Sequence, residues 1–170
     1  VVNTLYIGFS ARKGFNIVSW LIRKFQGTPY SHVYIRIPSE SLQRDLIYQS
    51  SGLSVHFSNY ANLLNKSKVI KEYILNVTPE TKIKTLQFAI DNLEKPYSML
   101  QLVGFVWVSI SKWFGKKVSN PFKNGPESFI CSELVATVLE ELGYDLEEDL
   151  DSISPKDIDK FLQEQQIPCI

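Results

Sequence analysis

The chain has 170 residues, 44% of them hydrophobic, and carries 18 basic against 18 acidic side chains for a formal net charge of zero. That length suits one domain, 1–170, with a core of useful size. The balanced charge argues against a broad nucleic-acid-binding surface, and two cysteines are too few for a disulfide scaffold.

Val1 to Phe9 reads as a strand rather than a secretory signal, which leaves the cell location open. Ser10 to Gly14 reads as a turn. Ile17, Leu21, Ile22 and Phe25 recur at helical spacing, which predicts a helix over Phe15 to Gln26 closed by Gly27. His32 to Ile37 alternates: Val33, Ile35 and Ile37 share one face, and His32, Tyr34 and Arg36 share a polar one. Asp45 to Ser50 and Leu53 to Phe57 are two short strands around a Ser51-Gly52 turn, and Lys68 to Val77 is a further strand. Thr78-Pro79 opens a helix running to about Leu93, which Lys95-Pro96-Tyr97 breaks. Met99 to Phe114 is the longest apolar stretch. Gln101, Ser109, Ser111 and Lys112 interrupt it, and it falls short of the ~20 residues of a spanning helix. It reads as a buried helix, with a lipid- or substrate-facing role for 99–114 as the alternative.

Asn120 to Ser128 is a loop. Leu134, Val135, Val138, Leu139 and Leu142 mark a helix ended by Gly143, and Ser154-Pro155 opens a last helix carrying Ile158, Phe161 and Leu162. Strands early and helices late predict an α+β fold with an antiparallel, barrel-like sheet packed against helices. Arg12-Lys13 and Lys116-Lys117 are short basic clusters that read as solvated surface.

Cys131 carries the chemistry. It stands where a Gly- and Pro-bearing loop turns into a helix, and backbone N–H groups in a first helical turn favour thiolate. His32, at the start of an alternating strand, is the candidate base. A third polar group must fix the imidazole's tautomer, and Gln49 on a neighbouring strand can accept from a ring N–H without adding charge. Cys169 sits at a C-terminus expected to fray. Two histidines and two cysteines lack ligand-like spacing, so neither a metal nor another cofactor is expected.

Several stretches together resemble the circularly permuted branch of the NlpC-type papain-like peptidase superfamily. They are Trp20 to Phe25 with Gly27-Thr28-Pro29-Tyr30-Ser31-His32-Val33, then Ile47 to Val55, Lys95-Pro96-Tyr97-Ser98-Met99-Leu100, and Phe129-Ile130-Cys131-Ser132-Glu133-Leu134. The order, His32 first and Cys131 late, is the specific part. The resemblance implies a permuted papain-like fold, with Cys131 as nucleophile and His32 as general base. It implies that Tyr97 contacts substrate or oxyanion. Gln49 falls where relatives often carry an acidic residue, and His56 is the other candidate for that third role.

The implied function is a thiol hydrolase cleaving an amide, a peptide or isopeptide such as a murein stem peptide, through a Cys131 acyl-enzyme. The alternatives are a lipid acyl hydrolase or acyltransferase, whose acyl chain would lie along 99–114, and a non-catalytic binding or virion-associated module.

Overall fold

Apolar residues at every second position build the sheet, and the helices cover the face they form. The computed structural model describes residues 3–52, 54–97, 104, 107–108, 110–111, 114–116, 118–119, 129–146 and 150–170. Five strands, β1 (Asn3–Arg12), β2 (His32–Ser39), β3 (Arg44–Ser51), β4 (Ser54–Asn59) and β5 (Ser67–Val77), form one antiparallel sheet in the order β4-β3-β2-β1-β5. The helices among the described residues include α1 (Ile17–Gln26), α2 (Tyr60–Lys66), α3 (Pro79–Asp91), α4 (Cys131–Glu141) and α5 (Pro155–Glu164). The fold is therefore α+β, with an antiparallel sheet packed against helices.

The sheet does not close into the expected barrel. β4 and β5 stand at opposite edges, and other segments occupy their free backbone groups. On β4, Val55 N–H donates to the Lys95 carbonyl at 2.9 Å and Glu94 N–H to the Val55 carbonyl at 3.0 Å. On β5, Glu72 and Ile170 exchange two backbone bonds of 2.9 Å, and Tyr73 pairs with Cys169. Cys169 is thus held at an exposed sheet edge rather than fraying, and both cysteines are free thiols.

The core face carries Leu5, Ile7 and Phe9 of β1, Val33, Ile35 and Ile37 of β2, and Tyr73 and Leu75 of β5. Leu134, Val135, Val138 and Leu139 of α4 pack on it, with Ile158 and Leu162 of α5. Full burial of such a side chain contributes roughly 1.5–3 kcal/mol.

The opposite face, read from sequence as polar, is covered as well: Tyr34 on it is fully buried and packs with Ile47 and Leu63. The cover is α2, too short to show a helical period. Asn59 caps it by accepting from Ala61 N–H at 2.9 Å. Beneath it the Arg36 guanidinium lies 3.6 Å over the Tyr6 ring. It donates to Glu72 through Nε (3.0 Å) and Nη2 (2.6 Å), and to Asp45 through Nη1 (2.7 Å).

Two further expectations shift. β1 runs on to Arg12 through the predicted turn, because Ser10 pairs with His32 and Arg12 with Ser67. The Asn120–Ser128 loop and most of Met99–Phe114 lie outside the described residues. Of the latter, Trp107 and Phe114 are exposed and Val108 and Ser111 are buried. No helix among the described residues is long and apolar enough to cross a membrane.

Asp159 ties α5 to the sheet. Its carboxylate accepts from the Tyr73 hydroxyl at 2.6 Å and the Tyr30 hydroxyl at 2.5 Å, and it pairs with the Lys71 ammonium. Burial raises its pKa, but these partners outweigh burial and hold the carboxyl below its ordinary value of 3.8. A group so shifted stabilises the fold above its unfolded pKa, and that contribution is lost as pH falls through the lower folded value. Asp159→Ala should destabilise the protein by about 2–3 kcal/mol, because it leaves a partly buried ammonium unpaired. Urea denaturation at pH 7 measures this, and the gap between variant and parent should narrow in acid.

Candidate active site

The β2–β3 ladder begins at Ile35↔Tyr48, so the strand ends that carry His32 and Gln49 are not hydrogen-bonded to one another as a sheet. The N-terminus of α4 occupies this opening. Ser50 Oγ donates to the Phe129 carbonyl at 2.6 Å, and Val33 N–H reaches the Cys131 thiol. A helix from the core side of the sheet thereby brings its first residue to the cavity that His32 lines from the other side.

The start of α4 is unusual in a useful way. Ile130 stands at the N-cap, where Ser, Thr, Asp or Asn ordinarily accepts from the first N–H groups, and it supplies no side-chain cap. Glu133 instead reaches back to Ile130 N–H at 3.3 Å. The N–H groups of Cys131 and Ser132 therefore remain directed to the thiol, together with that of Val33. The same donors suit an oxyanion. Ser132 Oγ is engaged elsewhere, donating to the Ile153 carbonyl at 2.7 Å.

His32 Nε2–H donates to Gln49 Oε1 at 2.8 Å. The polarity of this bond follows from the next one along. His56 Nδ1–H donates to the Ser54 carbonyl at 2.9 Å, so His56 Nε2 is an acceptor and takes a hydrogen bond from Gln49 Nε2 at 3.3 Å. Gln49 Nε2 also donates to Ser58 Oγ at 3.2 Å. With its amide nitrogen committed, Gln49 turns its oxygen to His32. His32 must then carry its proton on Nε2 and keep Nδ1 as the free base. The two candidates for the third role stand in one row across β2, β3 and β4: Gln49 bonds the His32 imidazole and His56 bonds Gln49. The Tyr34 ring stacks beside His32, with centroids 6.3 Å apart.

Cys131, His32, Gln49, His56 and Tyr97 all line one cavity of about 560 Å³. Tyr97 is set there by a parallel bridge to Phe129, and Phe129 N–H donates to the Pro96 carbonyl at 3.2 Å. Burial, with the nearby Cys131 adding to it, pushes the Tyr97 hydroxyl well above its ordinary pKa, so it stays a donor. Ser19 and Ser31, which share a 2.6 Å hydroxyl contact, hold α1 as one wall.

The electrostatics correct the sequence reading in one respect. Burial pushes the Cys131 thiol above its ordinary value of 9.0 despite the three N–H groups that pull it back. Burial also lowers His32 below 6.5, against the opposing Gln49 bond. The resting pair at neutral pH is therefore thiol and neutral imidazole, not thiolate and imidazolium. The rate of Cys131 alkylation by iodoacetamide should climb with pH up to and beyond pH 9, without a plateau between pH 5 and 8. A plateau there would indicate a preformed ion pair. Lowering of the His32 pKa also means that the folded state resists its protonation. Its contribution to stability is complete above pH 6.5 and declines as pH falls from there toward the folded value.

Comparison with known proteins adds the fold alone. No known family's profile matches the chain, and no curated protein does. Among solved structures the chain is similar to the metalloprotein yiiX from Escherichia coli O157:H7, described as DUF1105. Identity is 15%, the TM-score is 0.54, and the match covers 99% of this chain and 95% of that one. The architecture described above is thus shared along nearly the full length of both.

Proposed function

We propose that this protein is a thiol hydrolase that cleaves an amide through a Cys131 acyl-enzyme, on a permuted papain-like fold. The observation that carries the reading is the meeting of Cys131 and His32 in one cavity. The N–H of Val33, the residue after His32, reaches the thiol, and Gln49 holds the far side of the imidazole.

In the proposed reaction His32 Nδ1 removes the thiol proton as Sγ attacks the substrate carbonyl carbon. The N–H groups of Cys131 and Ser132, with the Tyr97 hydroxyl, receive the charge that develops on oxygen. The imidazolium then protonates the leaving nitrogen as the C–N bond breaks. Water, deprotonated by the same Nδ1, attacks the thioester, and the thiolate departs and regains its proton. A neutral resting pair fits this scheme, because proton transfer accompanies attack and gives the general base its value.

The yiiX name describes a metalloprotein. Among the described residues of this chain, no group of three or more His, Cys, Asp and Glu is placed to hold a metal, so that property finds no matching ligand set here.

A second reading, an acyl hydrolase or acyltransferase acting on lipid, draws support from the exposed apolar side chains of Phe15, Ile17 and Trp20 beside the α1 residues that line the cavity. Intact-mass spectrometry after incubation with murein fragments, acylated peptides and phospholipids separates the two. A peptidyl adduct on Cys131 supports the amidase, and a fatty-acyl adduct supports the lipid enzyme. Adducts that persist in Cys131→Ala would refute both.

A further inference from the structure

Arg12, read from sequence as part of a solvated basic cluster, and Lys66 both line the cavity that holds Cys131 and His32. Asn16, Asn62, Ser58 and Ser67 line it with them, and among the described residues no Asp or Glu does so. That is a local excess of two positive charges in a chain of zero net charge. Neither Arg12 nor Lys66 has an ion-pair or hydrogen-bonding side-chain partner among the described residues. Lys13, next in sequence, is by contrast spent on the Leu64 carbonyl at 2.7 Å.

Their place along the sheet gives a length. Ser10 is paired with His32, and the bulge near it inserts its extra residue in β5, between Val69 and Lys71. β1 therefore keeps its alternation, and Ser10 and Arg12 lie on the His32 side of the sheet. At a rise of about 3.3 Å per residue, the Arg12 backbone is about 7 Å along β1 from the point opposite His32. Lys66 enters from the end of α2, directly before Ser67, which pairs with Arg12. An extended substrate covers about 3.5 Å per residue, so the Arg12 backbone, with Lys66 next to its partner Ser67, stands about two residues' length along β1 from the point opposite His32.

We infer that Arg12 and Lys66 form an anion subsite that selects amide substrates bearing a carboxylate or phosphate about two residues from the scissile carbonyl. The inference deepens the hydrolase reading and rests on it. The flanking asparagine and serine side chains supply neutral donors to the same group, and no carboxylate among the described lining residues opposes an anion there. In a partly enclosed cavity the attraction is screened less than at an open surface.

The test uses Cys131 labelling by 6-maleimidohexanoate, whose chain is about as long as the gap, against the uncharged carboxamide of the same reagent. The carboxylate form should label Cys131 at least 5-fold faster in 20 mM salt. The preference should fall toward unity in 500 mM salt and in the Arg12→Gln/Lys66→Gln double variant, with Cys169 as an internal control that shows no preference. Inorganic phosphate and acetate are then compared as protecting ions: stronger protection by phosphate names a phosphoryl group, and equal or stronger protection by acetate names a carboxylate. Equal labelling rates in the parent protein, no labelling of Cys131 by either reagent, or a preference that survives in the double variant would overturn the subsite. Hydrolysis of a neutral amide through Cys131 without any anion preference would sink the subsite and leave the hydrolase standing. An anion preference in a protein that forms no acyl-enzyme would do the reverse.

Discussion

Replacing His32 with alanine should lower kcat/KM by about 1,000-fold on any amide that acylates Cys131, a loss of about 4 kcal/mol of transition-state stabilisation. The size follows from the resting state of the pair. The thiol is pushed up by burial and the imidazole pushed down, so very little thiolate exists without the base. Removing His32 leaves a buried thiol that must ionise unaided. Activity in the parent should fall in acid with a limb below pH 6.5, since protonated His32 cannot accept a proton and burial holds its pKa under that value. The alanine variant should lose that limb, and its residual rate should rise with pH as the thiol ionises. Gln49→Ala should cost less, about 10- to 50-fold, because it frees the imidazole to choose its tautomer without removing it. His56→Ala acts one step further off, through Gln49, and should cost less again. Equal losses for Gln49→Ala and His56→Ala would mean that the row acts as one unit. Steady-state kinetics across pH 5–9 distinguishes these outcomes.

The second large effect falls on stability. Gly8 lies against Tyr34, and a Cβ there would meet Tyr34 Cζ at 2.2 Å and its hydroxyl at 2.5 Å. The Tyr34 ring cannot retreat, since it is fully buried and its hydroxyl donates to Glu72 at 2.9 Å. Gly8→Ala should therefore destabilise the fold by about 3 kcal/mol, at the upper end of the usual overpacking cost. Shortening the obstacle in Gly8→Ala/Tyr34→Leu should recover part of that loss, although Tyr34→Leu alone destabilises. Urea denaturation of the four proteins gives the coupling directly. If the two substitutions prove additive, the close approach is not what makes glycine necessary. Because Tyr34 stacks beside His32, Gly8→Ala should also disturb the site.

How far the sequence could be read depended on the range of the interactions involved. Alternation in Val33, Ile35 and Ile37, the helical spacing from Leu134 to Leu142, and the Thr78-Pro79 and Ser154-Pro155 caps are local signals, and the strands and helices form where they point. β1 outran its prediction because Ser10 to Arg12 take their strand character from pairing with β2 and β5, which no local pattern encodes. The burial of β2's polar face had no local signal either. Glu72 of β5 and Asp45 of the adjacent β3 pair with Arg36, and α2 covers what they neutralise.

At the site, Cys131, His32 and Gln49 were visible as residue types at suggestive positions, and the structure brings Gln49 to His32 and all three to one cavity. The thiolate expected from a helix start gives way to a neutral thiol because burial outweighs three N–H groups, a balance that needs coordinates. Arg12 read only as part of a solvated basic cluster and Lys66 gave no signal, since an exposed cation and one at the rim of a cavity look alike in sequence.

Histidine ring nitrogen NMR, before and after methylthiolation of Cys131, tests the encounter of sulfur and imidazole most directly, and with His32 and His56 the only histidines its assignment is simple. His32 should begin as the Nε2–H tautomer. Its Nδ1 resonance should move when the sulfur is capped, while the Nε2–H bonded to Gln49 persists and His56 stays nearly still. A His32 spectrum indifferent to the modification, or one with the proton on Nδ1, would contradict the account.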